Sequence, residues 1–280
     1  MLNNALYIVA TPIGNLKDIS ERAVETLSQA DIIACEDTRV TKKLFSLLNL
    51  SLDKTFISYQ DHNEEEKSAD IIELILNGKS VALVSDAGSP LISDPGYKLV
   101  RKCVEQNIKV YSIPGASAVI CALQLSGLPT NRFMFAGFIP NKDKARIDLF
   151  IELSKINTTL VFYETAPRLC KTLSCLNQIF PEREIAVARE ITKIFEECRR
   201  ATAKELYEYY SENTPKGEIV IMVAPPSEKN ICDFNIEQEL KTRLKQMSLK
   251  SAVKEVTELT KSNKNDIYNL ALRLKNDKSE

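Results

Sequence analysis

The stretch Val81-Ala-Leu-Val-Ser85-Asp86-Ala-Gly88-Ser-Pro90-Leu-Ile-Ser93-Asp94-Pro-Gly96-Tyr97 decides the fold class. Val81–Ser85 is a short apolar run that reads as a buried strand, and the pattern over Tyr97–Gln106 reads as a helix. Between them Ser-Asp-x-Gly occurs twice, at a spacing of eight residues. Outward from this strand–loop–helix unit the same alternation repeats. Strand patterns at Leu6–Ala10, Ile32–Cys35, Thr55–Tyr59 and Lys109–Ile113 interleave with helical ones at Ile19–Gln29, Thr41–Leu48, Glu64–Asn77 and Ser117–Leu125. Asp18, with Glu21 three residues on, has capping-box spacing and predicts the start of the first helix. This βαβα order predicts an α/β domain over residues 1–125, with a largely parallel sheet covered by helices on both faces.

A second α/β domain is predicted over 126–225. Its strand patterns are Arg132–Ile139, Thr158–Tyr163, Glu184–Ala188 and Glu218–Val223, and its helices Lys142–Lys155, Arg168–Phe180 and Thr202–Tyr210. Pro225-Pro226-Ser-Glu-Lys opens a linker, 226–235. In the remaining tail, 236–280, apolar residues at 249, 252, 253, 256 and 259, and again at 267, 270, 271 and 274, keep a helical period, with Ser262-Asn-Lys-Asn as the turn of a helix–turn–helix-like unit.

Counting excludes several functions. His62 is the only histidine, so zinc-protease motifs and mechanisms with two imidazoles are ruled out, and no metal site is expected. The seven cysteines contain no C-x-x-C and read as buried thiols of a reducing cytosol. The N-terminus lacks the pattern of a signal peptide, and no apolar run is long enough to span a membrane. The chain is therefore read as soluble and cytoplasmic. Residues 236–280 hold ten Lys/Arg against seven Asp/Glu, while 1–235 are slightly acidic. That tilt is as compatible with a solvated helical face as with a nucleic-acid footprint.

In open parallel sheets ligands sit at the carboxyl ends of the strands, so the loops there are the candidate sites. The duplicated loop is neither G-x-G-x-x-G nor a P-loop. With Asp86 and Asp94 and no cation between residues 80 and 97, it is a poor phosphate cradle; its carboxylates suit ribose hydroxyls, a cationic group or a metal, unless both only form Asx-turns. Cys35-Glu36-Asp37-Thr38-Arg39 also follows a strand. Its acids suit acid–base work or a polar substrate contact, and helix capping by Asp37 or Thr38 is the alternative. Turns at Thr11-Pro12-Ile-Gly14-Asn15 and Pro114-Gly115-Ala-Ser117 complete a ring on one side of the sheet, open to backbone contact with a flat or bulky ligand.

These loops resemble those of the tetrapyrrole-methylase-like (class III) S-adenosylmethionine-dependent methyltransferases. The resemblance rests on Val9-Ala-Thr-Pro-Ile-Gly-Asn-Leu-Lys-Asp-Ile, Glu36-Asp-Thr-Arg, Val84 to Tyr97 and Ile113-Pro-Gly. It continues through Ser126-Gly-Leu-Pro, Gly137-Phe-Ile-Pro, Tyr163-Glu-Thr-Ala-Pro-Arg, Arg189-Glu-Ile-Thr-Lys and Lys216-Gly-Glu. It implies two α/β domains with the active site in the cleft between them. In the branch it most resembles, it implies 2′-O-methylation of a cytidine ribose in the decoding region of small-subunit (16S) rRNA, as naked RNA or in the 30S subunit, by a homodimer. Its cofactor is S-adenosyl-L-methionine, with Pro12, Asp86, Ala87, Gly88, Leu91, Ile92, Gly115, Ser117 and Ala118 around it. Methyl transfer from a sulfonium is in-line and needs positioning rather than a metal. A ribose hydroxyl is a weak nucleophile and calls for a proton acceptor. Asp37 is the first candidate as base or substrate orienter, with Arg39 contacting phosphate or carboxylate; Glu190 and Lys193 come second, and each is equally well read as an ion pair across the cleft. Lys241, Arg243, Lys245, Lys250, Lys254, Lys261 and Lys264 in the tail, and Lys142, Lys144 and Arg146, either contact RNA phosphates or form solvated faces. Two other readings stay open: a same-fold enzyme acting on a small tetrapyrrole, and a non-catalytic RNA-binding assembly factor.

Overall fold

The computed structural model describes residues 2–226, 240–241, 243–244, 247–260 and 263–276. They fall in two compact units, Met1–Ala224 and Pro225–Glu280. The first unit contains two five-stranded sheets.

The first sheet has the order β3-β2-β4-β1-β5, all parallel: β1 Leu6–Val9, β2 Ile32–Cys35, β3 Thr55–Ser58, β4 Val81–Val84 and β5 Val110–Ile113. Side chains of a strand alternate between faces. Here both faces are buried. Leu6, Ile32, Ala34, Val81 and Leu83 pack with Ile71, Ile75 and Leu99, while Tyr7, Val9, Ile33, Ala82 and Val84 pack with Leu27 and Phe45. The covering residues belong to α1 Glu21–Gln29, α2 Thr38–Leu47, α3 Glu64–Leu76 and α4 Tyr97–Glu105. Double-sided burial is why β1, β2 and β4 read as unbroken apolar runs. The capping box expected at Asp18 does not form. Asp18 sits in a short 3₁₀ turn, and Ser20 caps α1 instead, accepting from the Ala23 N–H at 3.2 Å.

The second sheet, order β6-β7-β10-β8-β9, is mixed: β6 Phe133–Phe138 runs parallel to β7 Thr159–Thr165, and the other pairs are antiparallel. β8 Glu184–Arg189, β9 Glu197–Thr202 and β10 Glu218–Val223 complete it. Leu160, Phe162, Ile185, Val187, Ile219 and Ile221 face α6 Asp143–Ser154, α7 Leu169–Ile179 and α8 Ala203–Glu212 through Phe150, Leu173 and Leu206. The opposite face, Val161, Ala186, Ala188, Val220 and Met222, is covered by Val119, Ala122 and Leu123 of α5 Ala118–Ser126. Thus α5, which follows the last strand of the first sheet, packs on the second one.

β9 has no counterpart among the strands expected from the sequence. Its residues Glu197-Cys-Arg-Arg-Ala-Thr are mostly polar because it is an edge strand. Arg189 and Glu197, opposite each other in register, form an ion pair at 2.7 Å, and Arg199 lies 3.6 Å from the centre of the Tyr209 ring. Arg200 donates from Nε to the Ser126 carbonyl at 2.6 Å and from its terminal nitrogen to the Leu125 carbonyl, satisfying acceptors that the end of α5 leaves open. Arg146 is not a surface cation. It is buried, paired with Asp143 at 3.1 Å and donating to the Asn141 carbonyl at 3.0 Å.

In the second unit α9 Leu249–Thr260 and α10 Lys264–Asn276 share a small core of Leu240, Ala252, Val253, Val256, Ile267, Ala271 and Leu274. Arg243 pairs with Glu255. Residues 227–235 of the expected linker, 236–239, Ser262, Lys245 and Lys261 lie outside the described residues. Among the described residues no helix is long and apolar enough to cross a membrane, and no group of three or more metal-ligating side chains is assembled.

Candidate active-site cavity

The loops after β1, β4 and β5 and several segments of the second sheet enclose a cavity of about 400 Å³. The first sheet contributes Ile13, Asp86–Ser89, Ile92–Asp94, Ser117 and Ala118; the second contributes Phe138, Tyr163–Thr165, Ile191 and Gly217–Val220. No lysine or arginine is among these residues.

The duplicated loop is clamped at both ends. Thr11 donates its N–H to the Gly88 carbonyl at 2.8 Å and accepts from the Gly88 N–H at 3.1 Å, tying the first loop to the fourth. At the other end the buried Glu64 of α3 accepts the N–H groups of Gly96 and Lys98 at 3.0 and 3.2 Å, capping α4 from outside its own chain segment. Between the clamps Leu91 and Ser93 adopt left-handed backbone, φ 73° and 68°, which non-glycine residues rarely hold unless neighbours impose it. Burial raises the Asp94 and Asp86 carboxyls above the usual carboxylate range, and each also feels the negative charge of a neighbouring Asp. Glu36 is raised by burial and by Asp86, Asp94 and Asp61. An acidic, partly desolvated wall of this kind attracts a cation and repels an anion.

Asp37 caps α2: Oδ1 accepts the Arg39 N–H at 2.8 Å, and the Arg39 guanidinium grips both carboxylate oxygens, with its closest contact at 2.6 Å. This pairing holds the Asp37 carboxyl down at about 2. The Asp37 N–H in turn donates to Asp86 Oδ1 at 3.1 Å. Neither Asp37 nor Arg39 lines the cavity, but Asp37 is thus one hydrogen bond from a carboxylate that does.

On the far side, Glu190 and Thr192 are also left-handed, φ 49° and 67°. Lys193 Nζ lies 2.9 Å from Glu190 Oε1 and 2.8 Å from Glu218 Oε2. Partial burial disfavours its charge, yet Glu218 and Glu190 hold it above the ordinary lysine range. Two glycines make room for this clasp. A Cβ at Gly14 would stand 2.5 Å from Lys193 Cγ, and one at Gly217 would collide with the Glu190 carboxylate. Lys193 therefore packs against the first β-loop at Gly14, while both of its ion partners, Glu190 and Glu218, belong to its own domain, so neither of these ion pairs crosses the cleft.

Of the sequence-derived residues, Asp86, Ala87, Gly88, Ile92, Ser117 and Ala118 line one cavity. Pro12, Leu91 and Gly115 do not: Leu91 packs against the core beneath Gly96, and Gly115 lies against Ala10. Glu190 and Lys193 flank the cavity through Glu218 and Ile191. Sequence reasoning singled out Asp94 with Asp86 but assigned only Asp86 to the cofactor, and it did not find Tyr163, Glu218 and Phe138 as wall residues. Tyr163, pushed up to about 12 by burial and by Asp94 and Glu218, sits against Phe138 with ring centres 5.3 Å apart. The usable signal was the Tyr163-Glu-Thr string at a strand end, which carried part of the resemblance.

The family model for tetrapyrrole (corrin/porphyrin) methylases matches residues 5–207, and a solved cobalamin biosynthetic enzyme, cobalt precorrin-4 methyltransferase, superposes with a TM-score of 0.59 over 79% of this chain and 95% of its own, at 14% identity. The chain belongs to the tetrapyrrole methylase family. The model called RsmI C-terminal HTH domain matches 235–275. The chain is similar throughout to proteins named ribosomal RNA small subunit methyltransferase I. That of Erythrobacter litoralis is 50% identical over 98% of this chain and 96% of its own, and that of Vibrio cholerae 44% over 95% and 94%.

Proposed function

We propose that this protein transfers a methyl group from S-adenosylmethionine to the 2′-hydroxyl of a cytidine in the decoding region of small-subunit rRNA, as a cytoplasmic homodimer with two α/β domains, 1–125 and 126–225. The observation that supports it most is the cation-free, acid-walled cavity, in a chain similar over its whole length, tail included, to small-subunit rRNA methyltransferases. The cavity suits the donor. Its volume lies within the range of about 300–1,000 Å³ usual for small-ligand sites, and the Asp86 and Asp94 carboxylates answer a cationic, hydroxyl-rich molecule. Asp86, Ala87, Gly88, Ile92, Ser117 and Ala118 would hold it, with Pro12, Leu91 and Gly115 shaping the loops behind them. S-Adenosylmethionine supplies an electrophilic methyl on a sulfonium, displaced in line without metal.

The protein's own part is to exclude water and to place and deprotonate the hydroxyl. Held at about 2 by Arg39, Asp37 is a weak acceptor in the free protein. Arg39 is largely exposed, so an RNA phosphate draws it away and returns Asp37 toward ordinary carboxylate basicity as substrate arrives. Lys193, fixed by Glu190 and Glu218, secures the opposite wall.

The test is label transfer from radiolabelled S-adenosylmethionine to small subunits from cells lacking the enzyme, beside free rRNA and a porphyrinogen. Label in an rRNA ribose is expected; label only in the porphyrinogen, or none despite donor binding, overturns the reading. Asp37→Ala is expected to abolish transfer with donor affinity nearly intact. Collapse of donor affinity instead would move Asp37 to the donor site.

A further inference from the structure

A second recess, of about 500 Å³, opens behind the Glu190–Glu218 wall. Glu190 and Lys216 line it, while the next residue of each segment, Ile191 and Gly217, lines the first cavity. Two hydrogen bonds join the segments, from the Glu190 N–H to the Glu218 carbonyl at 3.1 Å and from the Glu218 N–H to Glu190 Oε1 at 3.2 Å. The two spaces thus share these two segments as a common wall.

Two features of this recess are not accounted for by folding. Phe195 lines it yet is 70% exposed, on the loop that the left-handed Glu190 and Thr192 hold in place, next to Ile194 at 96%. Such a ring gains nothing from burial in the folded chain. Tyr210, 2% exposed, lines the recess too, and its hydroxyl is buried with no hydrogen-bond partner among the described residues. An unpaired buried hydroxyl is unfavourable unless a ligand completes it. Burial and the nearby Glu197 keep that hydroxyl protonated, pushed up to about 12, so it remains a donor. A flat ring at the mouth and an unsatisfied donor at depth is how proteins take up an unpaired base: the ring stacks on its face and the donor meets its edge.

We infer that this recess holds an unpaired nucleobase of the RNA beside the methylated nucleotide, stacked on Phe195 with its edge toward Tyr210. The inference rests on the proposed RNA substrate. Continuity favours that occupant over a protein, because the recess and the first cavity share the Glu190–Ile191 and Lys216–Gly217 segments, so neighbouring nucleotides of one strand suit the two spaces. Lys216 at the rim supplies a phosphate contact.

The test is steady-state methylation of small subunits by the full-length protein, with donor affinity measured separately by equilibrium binding. Label transfer by the unmodified protein is the control, and its failure would count against the proposed function rather than the recess. Phe195→Ala removes an exposed ring, and Tyr210→Phe removes an unpaired hydroxyl, so neither should unfold the chain. Phe195→Ala is expected to raise KM for RNA about tenfold, the scale of one base stack, and Tyr210→Phe to raise it severalfold. Donor affinity should hold, and Phe195→Trp should restore KM to within about twofold of the original. Unchanged KM in Phe195→Ala, or a change of oligomeric state by sedimentation in its place, overturns the inference; the second outcome would make this face a contact between copies of the chain.

Discussion

Asp94 and Asp37 are carboxylates perturbed in opposite directions, and the physical causes separate their roles. Burial raises Asp94; an arginine fork and a helix N-terminus lower Asp37 to about 2. A cationic donor needs Asp94 ionised. Its affinity should therefore fall as pH drops through the raised Asp94 range, above the ordinary carboxylate value near 3.9. Asp94→Asn should bind the donor weakly at every pH, with that acid limb flattened; titration of donor binding between pH 4 and 8 reads both. For Asp37 the sign is reversed. Its contribution to stability is complete above the unfolded value and is lost as pH falls toward 2, so Asp37→Asn should narrow the Tm gap to the parent protein only in strong acid. The Asp37 position was legible from the sequence as both acid and cap, and the structure contains the cap. What the letters could not say is that Arg39 closes back on the same carboxylate, since side-chain pairing two residues apart depends on rotamers.

At the scale of elements, the first sheet was readable because burial on both faces leaves only apolar residues in β1, β2 and β4, and such short runs between turn signals fit little besides a buried strand. β9 was not readable. Its side chains answer to neighbours far away in sequence, Arg200 to the end of α5 and Arg199 to Tyr209, and none of these partners leaves a periodic mark. The same remoteness hid half of the cavity: Tyr163, Glu218 and Ile191 stand on three segments of the second sheet that only the fold brings together. Arg200→Ala should leave the α5 carbonyls of Leu125 and Ser126 dependent on water and lower stability by about 1 kcal/mol. A urea unfolding midpoint that does not move would show that solvent replaces the guanidinium fully.

For the molecule as a whole, the tail is a unit with its own small core, and its apolar period was legible from the sequence. Its lysines were ambiguous between solvation and phosphate contact, and Lys250 and Lys264 are exposed. If the tail grips RNA, replacing both by alanine should reduce the slope of log affinity against log salt concentration by about 2, roughly one for each phosphate no longer neutralised. Filter binding across a salt series measures it, and an unchanged slope assigns both lysines to a solvated face. The parallel order of the first sheet has a separate consequence, for the newborn chain. β1 lies between β4 and β5, with Leu6 paired to Val81 and Val110, so β1 has no partner until Val81–Val84 has been synthesised. No hairpin can shelter it meanwhile, and closing such long loops is slow. Around β1 the first sheet should therefore begin to assemble only when β4 emerges and be completed by Ile113, with Leu6–Val9 as the segment exposed longest to chaperones and to misassociation.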